Sequence, residues 1–378
     1  MKIAIEAQRL FRRKKHGMEI VALELIKALQ KIDLENDYVI FVKNDEDSEC
    51  LQETKNFRIR RLPNAPYPIW EQYLLPRAVA AEKADLLHCT SNTAPVFSKT
   101  PLIVTVHDII YLESLSFRGS PYQNFGNVYR RMVVPSTIRN SRSIITVSNF
   151  ERDRIIDHTR VDKEKIFTVY NAKNPGFRLI DDKDALKKVK DAYQLPDDYI
   201  LFFGNTAPKK NTPRLLEAYS IYAKGAAQVR PLVMTDIPVD NVKNILSQLG
   251  HSELIDHIHV KDYIGFKDLP CVYNLASLYV YPSLRESFGL PIVEAMACGT
   301  PVITSNTSSM PEVAENAAVL IDPKNAQEIA ASITEVLSNK EKYDQLRIAG
   351  LKRAEYFEWN NTAREVLKIY HRHQPVQS

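Results

Sequence analysis

Cysteine is scarce and scattered in this chain. Cys50, Cys89, Cys271 and Cys298 form no C-x-x-C pair and have no metal-ligand spacing. Neither a disulfide scaffold nor a zinc site is expected, and a reduced, cytoplasmic protein is the simple inference. No apolar run reaches the roughly 20 residues that cross a bilayer. Met1-Lys-Ile-Ala-Ile-Glu-Ala7 opens a strand, with no apolar core of a secretory signal behind it. Asn306-Thr-Ser and Asn360-Asn-Thr are accordingly read as chance matches to a glycosylation acceptor. G-x-G-x-x-G and Walker A strings are both absent, which removes the main support for a simple dinucleotide dehydrogenase or a P-loop nucleotidase. There is no internal repeat and no low-complexity stretch. The basic excess is small and lacks interleaved aromatics, so nucleic-acid binding has little support.

What remains is a globular composition, 44% apolar and 25% charged. A chain of 378 residues is too long for one ordinary core, so two domains are expected. Charge is uneven. Residues 1–175 hold 27 Lys and Arg against 21 Asp and Glu, and the remainder holds 23 against 25. The excess concentrates in Arg9, Arg12, Arg13, Lys14 and Lys15, a cluster able to face an anionic membrane surface or a phosphorylated acceptor, or equally to be a solvated loop.

Short β-rich apolar runs alternate with longer helical patterns, which predicts βαβ units and parallel sheets. The first series has strands at 2–7, 38–43, 57–62, 85–89, 101–107, 143–148 and 166–171, with helices at 18–31, 68–83 and 125–140. The second has strands at 199–203, 231–235, 258–261, 277–281, 301–304 and 318–321, with helices near 211–224, 239–249, 290–298, 325–338 and 340–356. Two doubly wound α/β domains result, 1–175 and 176–358, with a linker around 172–182.

The most informative stretch runs from Glu286-Ser-Phe-Gly-Leu-Pro-Ile-Val-Glu294 to Ile303. Proline is well tolerated in a first helical turn, so a helix is expected to open at about Pro291. The unpartnered N–H groups of that turn and the helix dipole make a site for an anion. Gly289 allows a close backbone approach. Two acids, Glu286 and Glu294, flank this site and can accept bonds from hydroxyls. A sugar nucleotide offers phosphates and hydroxyls together.

The string resembles the E-x7-E motif of retaining GT-B glycosyltransferases of family 4. The likeness continues through Ser305-Asn-Thr-Ser-Ser-Met-Pro-Glu-Val313 and Ala317-Ala-Val-Leu-Ile-Asp-Pro323, and covers nearly the whole chain. It implies two Rossmann-like domains with a cleft between them and a last helix, about 359–378, crossing back onto the first, with Trp359 as its anchor. It implies an N-terminal acceptor-binding domain and a C-terminal domain for the nucleotide sugar. By the same resemblance Glu286 contacts donor-sugar hydroxyls and Glu294 those of the ribose. Ser287 and the backbone amides from Phe288 through Gly289 to Leu290 meet sugar or phosphate.

Three further positions match the family. Gly17 lies in its glycine-rich turn, although His16 replaces a second glycine often found there. His107, in Thr105-Val-His-Asp108, corresponds to a histidine facing the donor sugar; Asp108 either orients it or caps the next turn. Lys210-Asn211, after the strand 199–203, corresponds to a Lys-Gly or Lys-Asn pair, with Lys209 in place of an arginine. Fixed cations there stabilise charge developing on a leaving diphosphate, though Lys209 lacks the arginine fork. Ser148 reads as the N-cap of a helix 149–158. Asp45-Glu-Asp47 spells a metal-binding D-x-D but is read as a solvated acidic loop, and no metal or cofactor is expected.

The expected function is therefore transfer of a hexose, with mannose from GDP-mannose favoured over UDP-linked donors, to a saccharide or lipid-linked acceptor in surface polysaccharide synthesis. A GT-B epimerase or phosphorylase and a non-catalytic sugar-nucleotide-binding protein are the alternatives. A paired-carboxylate glycosidase is disfavoured, having no use for the lysine pair.

Overall fold

The computed structural model describes residues 1–13, 15, 17–113 and 121–374, without the side chains of 121–123. Lys14 and His16, on which two expectations fall, lie outside the described residues. The chain divides into two compact units, Met1–Asn171 with Trp359–Ser378, and Ala172–Glu358. The division falls at 171/172, where the sequence places it at 175/176. Lys173 N–H donates to the Phe357 carbonyl at 3.2 Å, and the Lys173 ammonium pairs with the Glu358 carboxylate at 2.5 Å. These bonds tie the first residues of the second unit to its last.

The first unit is built on seven parallel strands, β1 (Lys2–Glu6), β2 (Asp37–Lys43), β3 (Phe57–Leu62), β4 (Leu86–Cys89), β5 (Leu102–Val106), β6 (Ser143–Thr146) and β7 (Ile166–Thr168), in the order β3-β2-β1-β4-β5-β6-β7. Strand β5, Leu-Ile-Val-Thr-Val, is buried throughout, as a strand covered on both faces must be. Helix Gly17–Ile32 turns Val21, Leu25, Ile26 and Leu29 to the core, a 3.6-residue stripe. The last helix, Trp359–His371, packs against it. Trp359 is buried at the start of that helix, and near its end the Tyr370 hydroxyl meets His88 Nδ1 at 2.6 Å.

The second unit has six parallel strands, β8 (Tyr199–Phe203), β9 (Leu232–Thr235), β10 (Ile258–Lys261), β11 (Ala276–Tyr281), β12 (Val302–Ser305) and β13 (Val319–Ile321), ordered β10-β9-β8-β11-β12-β13. The order in which strands are added to each sheet therefore reverses once, between β1 and β4 in the first and between β8 and β11 in the second. Such switch points leave a crevice at the carboxyl ends of the strands.

Two local expectations need correction. The single helix expected over 68–83 is three pieces, Tyr67–Ile69, a π-helical turn at Trp70–Leu74 and Leu75–Ala81. Pro76 has no N–H and its ring crowds the carbonyl four residues back, so the turn before it widens and Leu75 N–H bonds to Trp70 O. The linker read at 172–182 is not simply a spacer. Asp182 caps a helix, Lys183–Tyr193, by accepting from the Asp184 and Ala185 amides at 3.1 and 2.9 Å. No helix of the described residues is long and apolar enough to cross a membrane.

Candidate active site

At the switch point of the second sheet, β8 and β11 deliver opposite charges to one place. After β8 the chain forms a short 3-10 turn, Pro208–Lys210, closed by Asn211 at φ 61°. Asparagine and glycine tolerate this left-handed geometry best, which accounts for a Lys-Asn or Lys-Gly pair here. The Asn211 amide also donates to the carbonyls of Pro282 and Pro323 at 3.0 and 2.6 Å, so its role is to hold loops together.

Lys210 Nζ lies 2.9 Å from Glu286 Oε1 and 2.9 Å from the Tyr281 hydroxyl at the end of β11. Lys209 Nζ is 3.5 Å from the other carboxylate oxygen. Burial opposes the charge on Glu286, but Lys210 and then Lys209 outweigh it and hold the carboxyl below its ordinary range. The lysines thus hold an anion already, a carboxylate of the protein itself. The Glu286 loop is clamped from the next strand connection. Glu286 N–H donates to Ser308 Oγ at 3.0 Å, and Ser309 Oγ donates to the carbonyls of Glu286 and Phe288, each at 2.9 Å.

The helix after this loop is Leu290–Ala297, so it opens one residue before Pro291, with Gly289 as its cap at φ 99°. A Cβ on Gly289 would lie 3.1 Å from Ile292 Cδ1, and this backbone conformation favours glycine in any case. The Phe288 ring is buried against Phe357, with centroids 5.6 Å apart. Only the backbone of Phe288 is therefore available to a ligand.

Glu294, one turn into the helix, has the opposite electrostatic state from Glu286. Burial raises its pKa to about 7, and its hydrogen bond from the Tyr273 hydroxyl, at 3.3 Å, is too long to offset that. Seven intervening residues separate two acids, one held charged and the other poised to change charge near neutrality.

In the first unit His107 follows β5 and is buried. Its Nε2 lies 2.9 Å from the Thr90 carbonyl. A carbonyl only accepts, so Nε2 carries the proton and Nδ1 presents a lone pair. Burial lowers the His107 pKa, so the ring is neutral. Asp108 Oδ1 accepts from the Ile110 amide at 3.2 Å, which settles it as the cap of the next turn. Asn92 holds the His107 backbone, its Oδ1 accepting the His107 N–H at 2.6 Å. Gly17 begins its helix with nothing within 4 Å of where a Cβ would stand. Internal packing does not demand glycine there.

The expected basic cluster is largely engaged within the unit. Lys15 pairs with Asp47, Arg13 is 4.0 Å from Glu46, and Arg9 lies over the Tyr67 ring at 4.9 Å. The acidic run 45–47 is thus a partner for these cations. Among the described residues no group of three or more His, Cys, Asp or Glu is placed to hold a metal ion.

Residues 16–176 match the family model described as Glycosyltransferase Family 4, and residues 184–353 match Glycosyl transferases group 1. The chain belongs to these glycosyltransferases. Serotype-specific mannosyltransferase WbdA of Escherichia coli is 30% identical over 272 residues, covering 69% of this chain and 32% of WbdA. O-antigen chain mannosyltransferase B of Escherichia coli is 32% identical over 245 residues, covering 64% of each. The glycosyltransferase thus spans about a third of the length of WbdA, the 32% just given. The solved structure of Anabaena Alr3699/HepE in complex with UDP and glucose shares the fold, with a TM-score of 0.73 at 18% identity over 98% of this chain and 99% of that one. The GT-B architecture expected from the sequence is the one found.

For this glycosyltransferase the sequence reading overlooked Tyr281, Ser308 and Asn92. Tyr281 closes an apolar strand and reads as core. Ser308, at φ 61°, is one polar residue in a run of them. Asn92, at φ 64°, stands in a Ser-Asn-Thr turn whose only signal is its place after a strand.

Proposed function

We propose that the chain moves a hexose, mannose from GDP-mannose in the leading version, from a nucleoside diphosphate sugar to a saccharide or lipid-linked acceptor hydroxyl, with retention of anomeric configuration. The second unit takes the nucleotide sugar and the first the acceptor. The observation that carries this reading is the lysine pair gathered on Glu286 at a switch point beside the Leu290–Ala297 helix start. A diphosphate entering there takes over part of the lysines' charge and finds helix N–H donors, while Glu286 and Glu294 accept from hydroxyls. The mannosyl lean rests on the printed names of the relatives.

In the reaction the bond from the anomeric carbon to the diphosphate oxygen breaks as the acceptor oxygen bonds to the same face. The acceptor proton passes to the leaving diphosphate. Lys209 and Lys210 stabilise the charge that grows on it, so the reading needs no metal or cofactor. His107 offers its Nδ1 lone pair to a hydroxyl of the transferred sugar. Within this reading the protein works in the cytoplasm. Peripheral contact with the inner membrane face rests on Arg12 and on Arg13, whose 4.0 Å contact with Glu46 joins two exposed side chains and is weak, because Arg9 and Lys15 are occupied.

The test is a titration of the purified chain with GDP, UDP, GDP-mannose and UDP-glucose, with and without EDTA. Melting temperature and sugar release are followed, and the product anomer is read by NMR. Stabilisation by one nucleotide, insensitive to EDTA and lost in Lys210→Ala, is expected. No response to any nucleotide sinks the transferase reading, an inverted product sinks retention, and a trapped glycosyl-enzyme adduct sinks same-face displacement.

A further inference from the structure

The switch point of the first sheet carries a constellation that the reaction above leaves unassigned. The π-helical turn Trp70–Leu74 brings Glu71 into the interior, only 1% exposed. π-turns inside helices occur frequently at functional sites. Its Oε1 accepts from the Tyr67 hydroxyl at 2.7 Å and from Thr93 Oγ1. Its Oε2 accepts from the Tyr129 hydroxyl at 2.6 Å and from Gln72 Nε2 at 2.8 Å. Tyr67 and Thr93 also touch each other. Whichever of them donates in that contact, both hydroxyl protons stay inside the network.

The consequence is a polarity imposed on the surface above. The hydroxyls of Tyr67, Thr93 and Tyr129 have no proton left to offer, so outward they act only as acceptors. These three residues line a cavity of about 130 Å³, with Asn92, Arg9 and Arg130 beside them. At roughly 30 Å³ per water the enclosed space holds about four waters, room for one face of a hexose ring, with the rest of the ring at the cavity mouth. Arg9 is fixed over Tyr67 at 4.9 Å and Arg130 over Tyr111 at 5.3 Å, with Arg130 Nη2 bonded to Asn127 at 2.7 Å. Both guanidiniums are donors that can never accept. A wall of acceptors beside fixed donors, with tyrosine rings between them, matches a ligand whose every group both donates and accepts and whose C–H face is apolar. A pyranose is such a ligand. The Arg9 and Arg130 guanidiniums would also attract an anion, so inorganic phosphate is the competitor that the test must separate from the sugar.

We propose that this cavity binds one hexopyranose unit of the acceptor, and that Glu71 is the positioning residue that makes its hydroxyl wall accept rather than donate. The role in transfer rests on the glycosyltransferase reading; the binding of the sugar ring does not.

The experiment measures binding of methyl α-D-mannopyranoside to the full chain by saturation-transfer NMR and calorimetry, for wild type, Tyr129→Phe and Glu71→Gln. GDP and UDP binding and melting temperature are followed alongside. Tyr129→Phe removes one accepting oxygen and is expected to weaken the mannoside about three- to tenfold. Glu71→Gln, whose amide must donate to one side of the network and turn a hydroxyl proton outward, is expected to weaken it more. Nucleotide binding stays unchanged in both. Among singly deoxyfluorinated mannosides, which keep an acceptor but lose a donor, one is expected to bind poorly to wild type and to lose that penalty in Tyr129→Phe. A merely structural tyrosine would not produce that pairing. Mannoside affinity equal in wild type and Tyr129→Phe overturns the proposal, as does binding of inorganic phosphate at this cavity in place of the mannoside. If Glu71→Gln fails to fold, Tyr129→Phe decides alone. Nucleotide binding without mannoside binding removes this inference and leaves the transferase reading standing; the reverse result removes the reading and leaves the sugar site.

Discussion

Replacing Glu294 by glutamine should stabilise the protein above neutral pH while weakening its hold on nucleotide. Burial lifts the folded-state pKa from its ordinary 4.5 to about 7. The unfolded chain gives up this proton near 4.5 and the folded chain keeps it until about 7. Stability from this group is therefore complete below the lower value and is lost as pH rises through the upper one. A shift of that size corresponds to about 3.5 kcal/mol at about 1.4 per pH unit, and the partial exposure of the side chain reduces it to roughly 2–3. For a unit of this size that is about 4–12 °C of melting temperature. Glutamine keeps the shape and an acceptor for the Tyr273 hydroxyl but never ionises. Wild type and Glu294→Gln should lie closest at pH 4, begin to separate by pH 5 and differ by several degrees at pH 8, the variant higher. Glu6, also raised by burial to about 7, is present in both proteins and cancels in the difference. Parallel melting curves from pH 5 to pH 8 would refute the reasoning, since they would mean that Glu294 ionises alike in the folded and unfolded chains. The functional half follows from the same charge. Hydroxyls donating to Glu294 favour its ionised form, so nucleotide affinity should rise between pH 5.5 and 8 in wild type and stay flat in the variant.

The two lysines should differ sharply despite being neighbours. Lys210→Ala leaves Glu286 with the 3.5 Å contact to Lys209 and a hydrogen bond from the Tyr281 hydroxyl, and an undercompensated carboxylate, 11% exposed, should cost about 2–3 kcal/mol in thermal or urea unfolding. Lys209, whose side chain is 42% exposed, should cost under about 1 kcal/mol when replaced by alanine. Equal losses would contradict the assigned geometry. For His107, nitrogen-resolved NMR at pH 6.5 should show a neutral ring protonated on Nε2. An imidazolium signal at that pH would remove its assignment as a lone-pair donor to the sugar.

The fold was legible because parallel strands covered on both faces read as plain apolar runs, and Leu102–Val106 is one such run. Helix starts carried their own marks, as at Ser148, which accepts from the Glu151 amide at 3.1 Å. The donor half of the site was legible for a related reason. Glu286, Gly289 and Glu294 are close in sequence, and one loop-to-helix turn places them. Their charge states were not legible, since they depend on Lys210 after β8 and on Tyr273 from a different helix. Spacing along the chain can locate two carboxylates but cannot say which one is desolvated. The constellation on Glu71 lies at the far end of that scale. Tyr67, Glu71, Thr93 and Tyr129 share no local pattern, and the π-turn that brings Glu71 inward was read as ordinary helix. Pro76 was its one visible signal. A proline inside an apolar helical pattern forces the preceding turn to break or to widen, and widening moves one polar residue off the solvent face. Here that residue is a glutamate, and three hydroxyls from separate segments surrender their protons to it.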